Sequence, residues 1–451
     1  MSSAYLVPQC KAASPLSAKP HAPRANEFRL AASGKAAQYL GKSMGVAKSC
    51  PLETFHEYSQ FRSMRPSVPS RDALRGGTPM TTSRRKFLAA TTAVLGASAA
   101  SRTASAQLLK GPLRKIATEE AFATPELAKA WLEIARSQPN SSLDIPTGIL
   151  SIFDNPRPGS NQERFRRQLL DVDAERIRDM DEAGVDMHLL SVTIPGVQIF
   201  EPARASELAA TTNDYLAAAI ARHPARFAGL ACFAPHDPVR ATREMERAVN
   251  VLGLKGFIVN SHTHDLYLDD PRFAPILEAA QALDRPIYLH PRAPSNGMAA
   301  TFRDYSMGGS IWGFGVEAGT HAVRMILSGV FDRYPRLRII LGHMGEALPF
   351  WMWRLDHMAA RRAKDGRMKP LSLAPSDYFR RNFAVTTSGF ESPDVLDLVI
   401  KVAGIENVMW AIDYPYESSR DAVTFIEGAD LTASQRASIF HRNAERHFRL
   451  S

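Results

Sequence analysis

GFIVNSHTHDLYLDDPRFAPILEAAQALDRPIYLHP, residues 256–291, reads as one unit of strand, helix and strand. Gly256–Asn260 and Ile287–His290 are short runs rich in Val, Ile, Leu and aromatics, while Pro271–Ala282 carries apolar residues at helical spacing. Both runs are apolar throughout rather than alternating, as parallel strands covered on both faces are. Working outward, similar runs recur at Lys115–Phe122, Val185–Val192, Phe227–Ala234, Leu337–His343, Phe383–Ser388 and Val408–Asp413. Helix-period segments fill most of the intervals, at Gln162–Ala183, Ala205–His223, Pro238–Val251, Thr320–Val330 and Thr432–Phe448. Eight strands alternating with helices predict an α/β fold, a (β/α)8 TIM barrel. A doubly wound open sheet would want a glycine-rich phosphate turn after an early strand, and GxGxxG is absent. Asn140–Ser160, rich in Pro, Gly, Ser and Asn, is expected to be a long loop after the first strand, where loops line active sites.

The whole chain of 451 residues carries a formal charge of +9, which alone would suggest a nucleic-acid or membrane-surface partner. Location removes that suggestion. Residues 1–107 hold 15 basic and 4 acidic residues, so the remaining 344 carry 40 basic against 42 acidic, a net of −2. With 45% hydrophobic and 22% charged residues overall, the body has globular composition, which excludes collagen, coiled coil and a fully disordered chain. Cys10 and Cys50 lie in the leader and Cys232 is the only thiol of the body, so a cysteine-rich metal site is excluded. Cys232 is expected to be an inert buried thiol.

The basic leader has its own logic. Residues 1–79 show no sustained hydrophobic period and are expected to be disordered or a spurious extension. From Met80, the paired Arg84 and Arg85, the apolar stretch Phe87–Ala100 and the exit Ala104-Ser105-Ala106 read as a twin-arginine-type signal peptide, residues 80–106. Cleavage after Ala106 and a periplasmic location are the expectations, with 107–451 as the catalytic domain. No later stretch is apolar for 18 residues, so no membrane anchor is expected.

In such a barrel the chemistry projects from the C-terminal strand ends. Those ends carry Glu119 and Glu120, then His236, Asn260 and His262, His290, His343, Thr387 and Ser388, and Asp413. Two carboxylates and two histidines converging on one mouth suit a single divalent cation, with Mn²⁺, Zn²⁺ and Mg²⁺ all admissible. Glu120 is expected to face the helix layer, since neighbours on a strand point to opposite sides. His188, His236, His264 and His321 are read as structural. The aromatic run Trp351–Trp353 is expected to be helix core.

LRKIATEEAFATPE (113–126), NSHTHDLYLDDPRFAPILEAAQALDRPIYLHP (260–291), IWGFGVEAG (311–319), GVFDRYPRLRIILGHMGEALPFWMWRLDHM (329–358), RRNFAVTTSG (380–389) and VMWAIDYPYE (408–417) together carry a resemblance. They are similar to the amidohydrolase-superfamily decarboxylases, most of all the 5-carboxyvanillate branch, with dihydroxybenzoate, γ-resorcylate and aminocarboxymuconate-semialdehyde enzymes as cousins. The resemblance runs from about Leu113 to Leu450. It implies metal ligands Glu119, His290 and Asp413. The strand-1 position that is histidine in many relatives is Ala121, and strand 4 offers Asn260 rather than a metal-bridging lysine. One metal ion is therefore expected, with Mn²⁺ favoured over Zn²⁺ and Mg²⁺ also compatible. His343 and Glu346 match the family's His-x-x-Glu pair, catalytic with Asp413. Arg354 matches a substrate-carboxylate arginine, a task that suits a bidentate guanidinium. Phe314 and Tyr416 match pocket walls, and His262 is read either as a substrate-side neighbour of the site or as a hydrogen-bonder within its loop. The family's second anion-binding arginine falls on Asn161 here, with Arg157 and Arg164 nearby.

The resemblance implies non-oxidative decarboxylation of an aromatic hydroxy-carboxylic acid by a homo-oligomer, dimer or tetramer. The competing reading is a metal-dependent lactone or amide hydrolase of the same superfamily. A non-catalytic binding protein would predict a lost ligand, and all three are present.

Overall fold

The computed structural model describes residues 113–450; the predicted disordered extension and signal peptide lie outside the described residues. Eight parallel strands run in sequential order: β1 Ile116–Phe122, β2 Met187–Val192, β3 Phe227–Cys232, β4 Gly256–Asn260, β5 Ile287–His290, β6 Ile339–Leu341, β7 Phe383–Thr386 and β8 Val408–Met409. The ring closes where Thr118 and Ala121 N–H donate to the carbonyls of Trp410 and Tyr414, at 3.2 and 2.7 Å. Helices separate consecutive strands, so the predicted barrel is the observed fold. Every strand residue is buried, because the helices cover one face and the barrel core fills the other. Each fully buried Leu, Ile or Phe there is worth about 1.5–3 kcal/mol of transfer free energy.

β4 and β5 have the predicted limits, and the remaining strands are shorter. β8 stops at Met409 rather than Asp413, since Asp413 turns back at a φ of 76°. The predicted helix Gln162–Ala183 is two, Asn161–Leu170 and Ala174–Ala183. Asp171 breaks it by accepting from the N–H of Asp173 and of Arg176, bonds that offer the backbone an alternative to the helix. The loop Asn140–Ser160 contains helical turns at Ile145–Leu150 and Ser151–Phe153. It is held by Asp144, which forms a buried ion pair with Arg292 and accepts from Ala293 N–H at 2.9 Å, just past β5. Helix Leu348–Lys364 departs from expectation in its packing. Met352 is buried as expected, but Phe350 and Trp353 are 73% and 72% exposed and Trp351 is half exposed, so the tryptophans of this cluster are surface rather than core.

Candidate metal and catalytic site

β1 places Glu119 inward and Glu120 outward. Glu119 meets residues of β5 and β7, whereas Glu120 accepts from Ile412 and Tyr414 N–H on the β8 side. Burial pushes the Glu120 carboxyl up to about 8, against the pull of those two backbone donors. On β5, His290 lies across from Asn260 of β4, and Tyr288, two residues earlier, shares its inward face.

Glu119 is wholly buried and its two oxygens have different surroundings. Tyr288 and Ser388 hydroxyls donate to Oε2, and the Thr386 hydroxyl lies 2.9 Å from it. Among the described residues Oε1 has no hydrogen-bond partner. It lies 3.4 Å from His290 Nε2. The opposite ring nitrogen of His290, Nδ1, donates to the Pro291 carbonyl at 2.7 Å, so Nε2 is the nitrogen that faces Glu119. Ligand atoms of Glu119, His290 and Asp413 all lie within 4.8 Å of one another. An orphaned carboxylate oxygen, an imidazole nitrogen and a second carboxylate fit a divalent cation, the group that would satisfy them together.

Beside this triad, His343 Nδ1 donates to Glu346 at 2.8 Å and Nε2 lies 3.4 Å from Asp413. Burial opposes a charge on His343, yet the carboxylates of Glu119, Glu346 and Asp413 hold its pKa well above the ordinary histidine value. Burial likewise works against the Glu119 charge, and the His343 and His290 imidazoles with the Ser388 and Tyr288 hydroxyls outweigh it, holding that carboxyl low. The backbone pays out an unusual conformation to set this pair. His343, Met344, Gly345, Glu346 and Ala347 all have φ between 50° and 82°. Such left-handed geometry costs an ordinary residue about 1–2 kcal/mol, and it concentrates at functional sites. Gly342, immediately before the turn, has no room for a side chain, since a Cβ there would stand 2.6 Å from Glu119 Oε2.

The other predicted site residues divide. Phe314 lines a cavity of about 780 Å³ together with His343, Glu346, Trp312, Trp351 and Phe390. Tyr416 bonds the Thr193 hydroxyl at 2.6 Å and lines a different cavity, beside Arg164, which donates to the Pro415 carbonyl. His262 is not free for substrate. It is buried, one nitrogen donates to the Ala293 carbonyl, the other accepts from Asp265 N–H, and burial with the nearby Arg292 pushes it down to about 2. Arg354 is exposed on helix Leu348–Lys364 and is absent from the walls of the His343 cavity. Sequence reasoning missed Tyr288 and Thr386, although the two-residue spacing of Tyr288 from His290 was available to find the first.

The Amidohydrolase family model matches residues 164–450. γ-Resorcylate decarboxylase from Polaromonas sp. is 39% identical over 303 residues, which span 65% of this chain and 92% of that protein. The enzyme of the same name from Rhodococcus jostii is 36% identical over 348 residues, 74% of this chain and 98% of its own length. Among solved structures, 5-carboxyvanillate decarboxylase from Sphingomonas paucimobilis superposes with a TM-score of 0.72 at 50% identity, covering 75% of this chain and all of that one. The Novosphingobium aromaticivorans enzyme, solved with manganese and 4-hydroxy-3-methoxy-5-nitrobenzoic acid, gives 0.72 at 38% identity over 75% and 96% of the two chains. With this fold and these relatives, the chain belongs to the amidohydrolase family and groups within it with the hydroxybenzoate and carboxyvanillate decarboxylases.

Proposed function

We propose that this enzyme removes CO₂ non-oxidatively from a carboxyvanillate- or hydroxybenzoate-type acid, using one divalent metal ion, Mn²⁺ by preference. The observation that carries the reading is the convergence of Glu119 Oε1, His290 Nε2 and the Asp413 carboxylate beside the His343–Glu346 pair. Glu119, His290 and Asp413 would hold the ion, which when bound supplies a positive charge for the ortho phenolate and carboxylate oxygens of the substrate. Glu119 is kept in place by the Tyr288, Thr386 and Ser388 hydroxyls. Asp413 delivers a proton to the ring carbon that bears the carboxylate. The bond from that carbon to the carboxyl carbon then breaks, CO₂ leaves, and the electron pair restores the aromatic ring. His343, oriented by Glu346, balances charge next to Asp413 and returns a proton to it. Phe314 forms an apolar wall of the adjoining cavity.

Two further elements complete the reading. Ile311, Trp312, Phe350, Trp351 and Trp353 give this side of the barrel an exposed apolar face, which supports a homo-oligomer, dimer or tetramer, with Arg354 on the covered helix. The leader supports export to the periplasm with cleavage after Ala106. Among the described residues no helix is long and apolar enough to cross a membrane.

The test is to load the protein with Mn²⁺ and follow CO₂ and ring absorbance with 5-carboxyvanillate, 2,6-dihydroxybenzoate and, as a control, aryl lactones. CO₂ release from an aromatic acid is expected; turnover of lactones alone would overturn the assignment.

A further inference from the structure

On the opposite end of the barrel from the candidate site, at the N-terminal ends of β5 and β6, five arginines surround a small cavity. Arg285 precedes β5, Arg336 and Arg338 precede β6, and Arg446 and Arg449 come from the C-terminal helical segment; the cavity between them is about 150 Å³. The body as a whole has more acidic than basic residues, so this concentration of cations is local.

Carboxylates do not account for it. Arg449 is ion-paired with Asp284, and Glu406 lies near Arg446 but bonds it through its backbone carbonyl. Among the described residues, Arg285, Arg336, Arg338 and Arg446 have no ion pair to a carboxylate. Among the described residues, the Arg285 side chain donates only to the Asp284 carbonyl, at 3.3 Å, and its Nε is buried without a partner. His447 also lines the cavity and is buried, and burial with the Arg446 and Arg338 charges pushes it down to about 4, so the positive charge there is that of the arginines. Like charges gathered around a concavity, with a buried donor left unsatisfied, form a complement to a compact anion of more than one charge. Guanidinium forks match the paired oxygens of phosphate in particular.

We propose that this cavity binds a phosphate-type oxyanion, either free phosphate or the phosphoryl end of a small organic phosphate, and thereby ties the starts of β5 and β6 to the C-terminal helix. A ligand held only by the folded protein raises its stability in a saturable way. The site is separate from the metal centre and does not rest on the decarboxylase reading.

The experiment is thermal unfolding of the full chain against inorganic phosphate, against glycerol phosphate, and against sodium chloride at matched ionic strength. The comparison variant is Arg336→Gln/Arg338→Gln, whose two side chains are exposed and make no hydrogen bond among the described residues. The wild-type midpoint is expected to rise and saturate with phosphate but not with chloride. The variant should fold, match or exceed the wild-type midpoint in low salt, and bind phosphate about tenfold or more weakly, each lost charge-assisted hydrogen bond being worth that much. A stronger response to glycerol phosphate than to phosphate assigns the site to organic phosphates, and the reverse assigns it to the free ion. An equal rise with chloride, or a phosphate response unchanged in the variant, overturns the proposal.

Discussion

Tyr288 illustrates how much of this site depends on groups that never touch a ligand. Its hydroxyl donates to Glu119 Oε2 and lies 2.9 Å from the Thr386 hydroxyl, so it fixes the carboxylate that must present Oε1 to a cation. Burial and the Glu119 charge hold its own pKa well above the ordinary tyrosine value, so it remains a donor. Tyr288→Phe is expected to weaken manganese affinity about 10- to 100-fold while leaving the fold intact, the usual consequence of losing a group that orients a ligand. Titration of the metal into wild type and variant measures this; equal affinities would show that Thr386 and Ser388 suffice. At this scale the strand ends offered Glu119, His290 and Asp413 among several polar residues, the resemblance singled them out, and the structure brings the three together. Where Arg354 and Tyr416 lie relative to the His343 cavity was not legible, while His262 takes the loop-bonding role that was one of its two readings. Which cavity a side chain reaches depends on helix rotation and loop packing, and sequence pattern leaves both open.

The element that most constrains the mouth is the segment after β1. Asp144 carries it, through the buried pair with Arg292 and the bond from Ala293 N–H. Asp144→Ala would leave the Arg292 guanidinium buried and uncompensated, and a loss of about 3–5 kcal/mol is expected. Denaturant unfolding checks it; a change below about 1 kcal/mol would place the charge in contact with water. The strands themselves were readable from their unbroken apolar runs, including both limits of β4 and β5. The strand ends were less so. His343 and Asp413 leave the sheet in left-handed turns, and nothing in a local apolar pattern signals that reversal. The break at Asp171 arises in the same way, from a side chain that competes for backbone N–H groups.

For the molecule as a whole, the positive excess lies in residues 1–107, and the barrel divides its surface by function. One end gathers the carboxylates and imidazoles, the other the arginines, and one flank exposes Phe350 and Trp353. An exposed apolar face of that kind is the basis for the proposed homo-oligomer. The wild-type protein is expected to run as a homo-oligomer in light scattering, and Trp353→Glu should shift it toward monomer without altering its circular dichroism; a monomeric wild type would contradict this. Sequence alone placed these tryptophans in the core, since a helix-period aromatic run looks the same whether it packs inside its own chain or against another.

The central claim is that Asp413 serves both a bound metal and the proton transfer. CO₂ release from 5-carboxyvanillate by the manganese-loaded protein, measured beside the Asp413→Asn variant at saturating metal, tests it most directly. The account predicts one manganese per chain in the wild type and a loss of about 10²–10⁴-fold in turnover for a variant that still folds. Turnover by Asp413→Asn near the wild-type rate would contradict it.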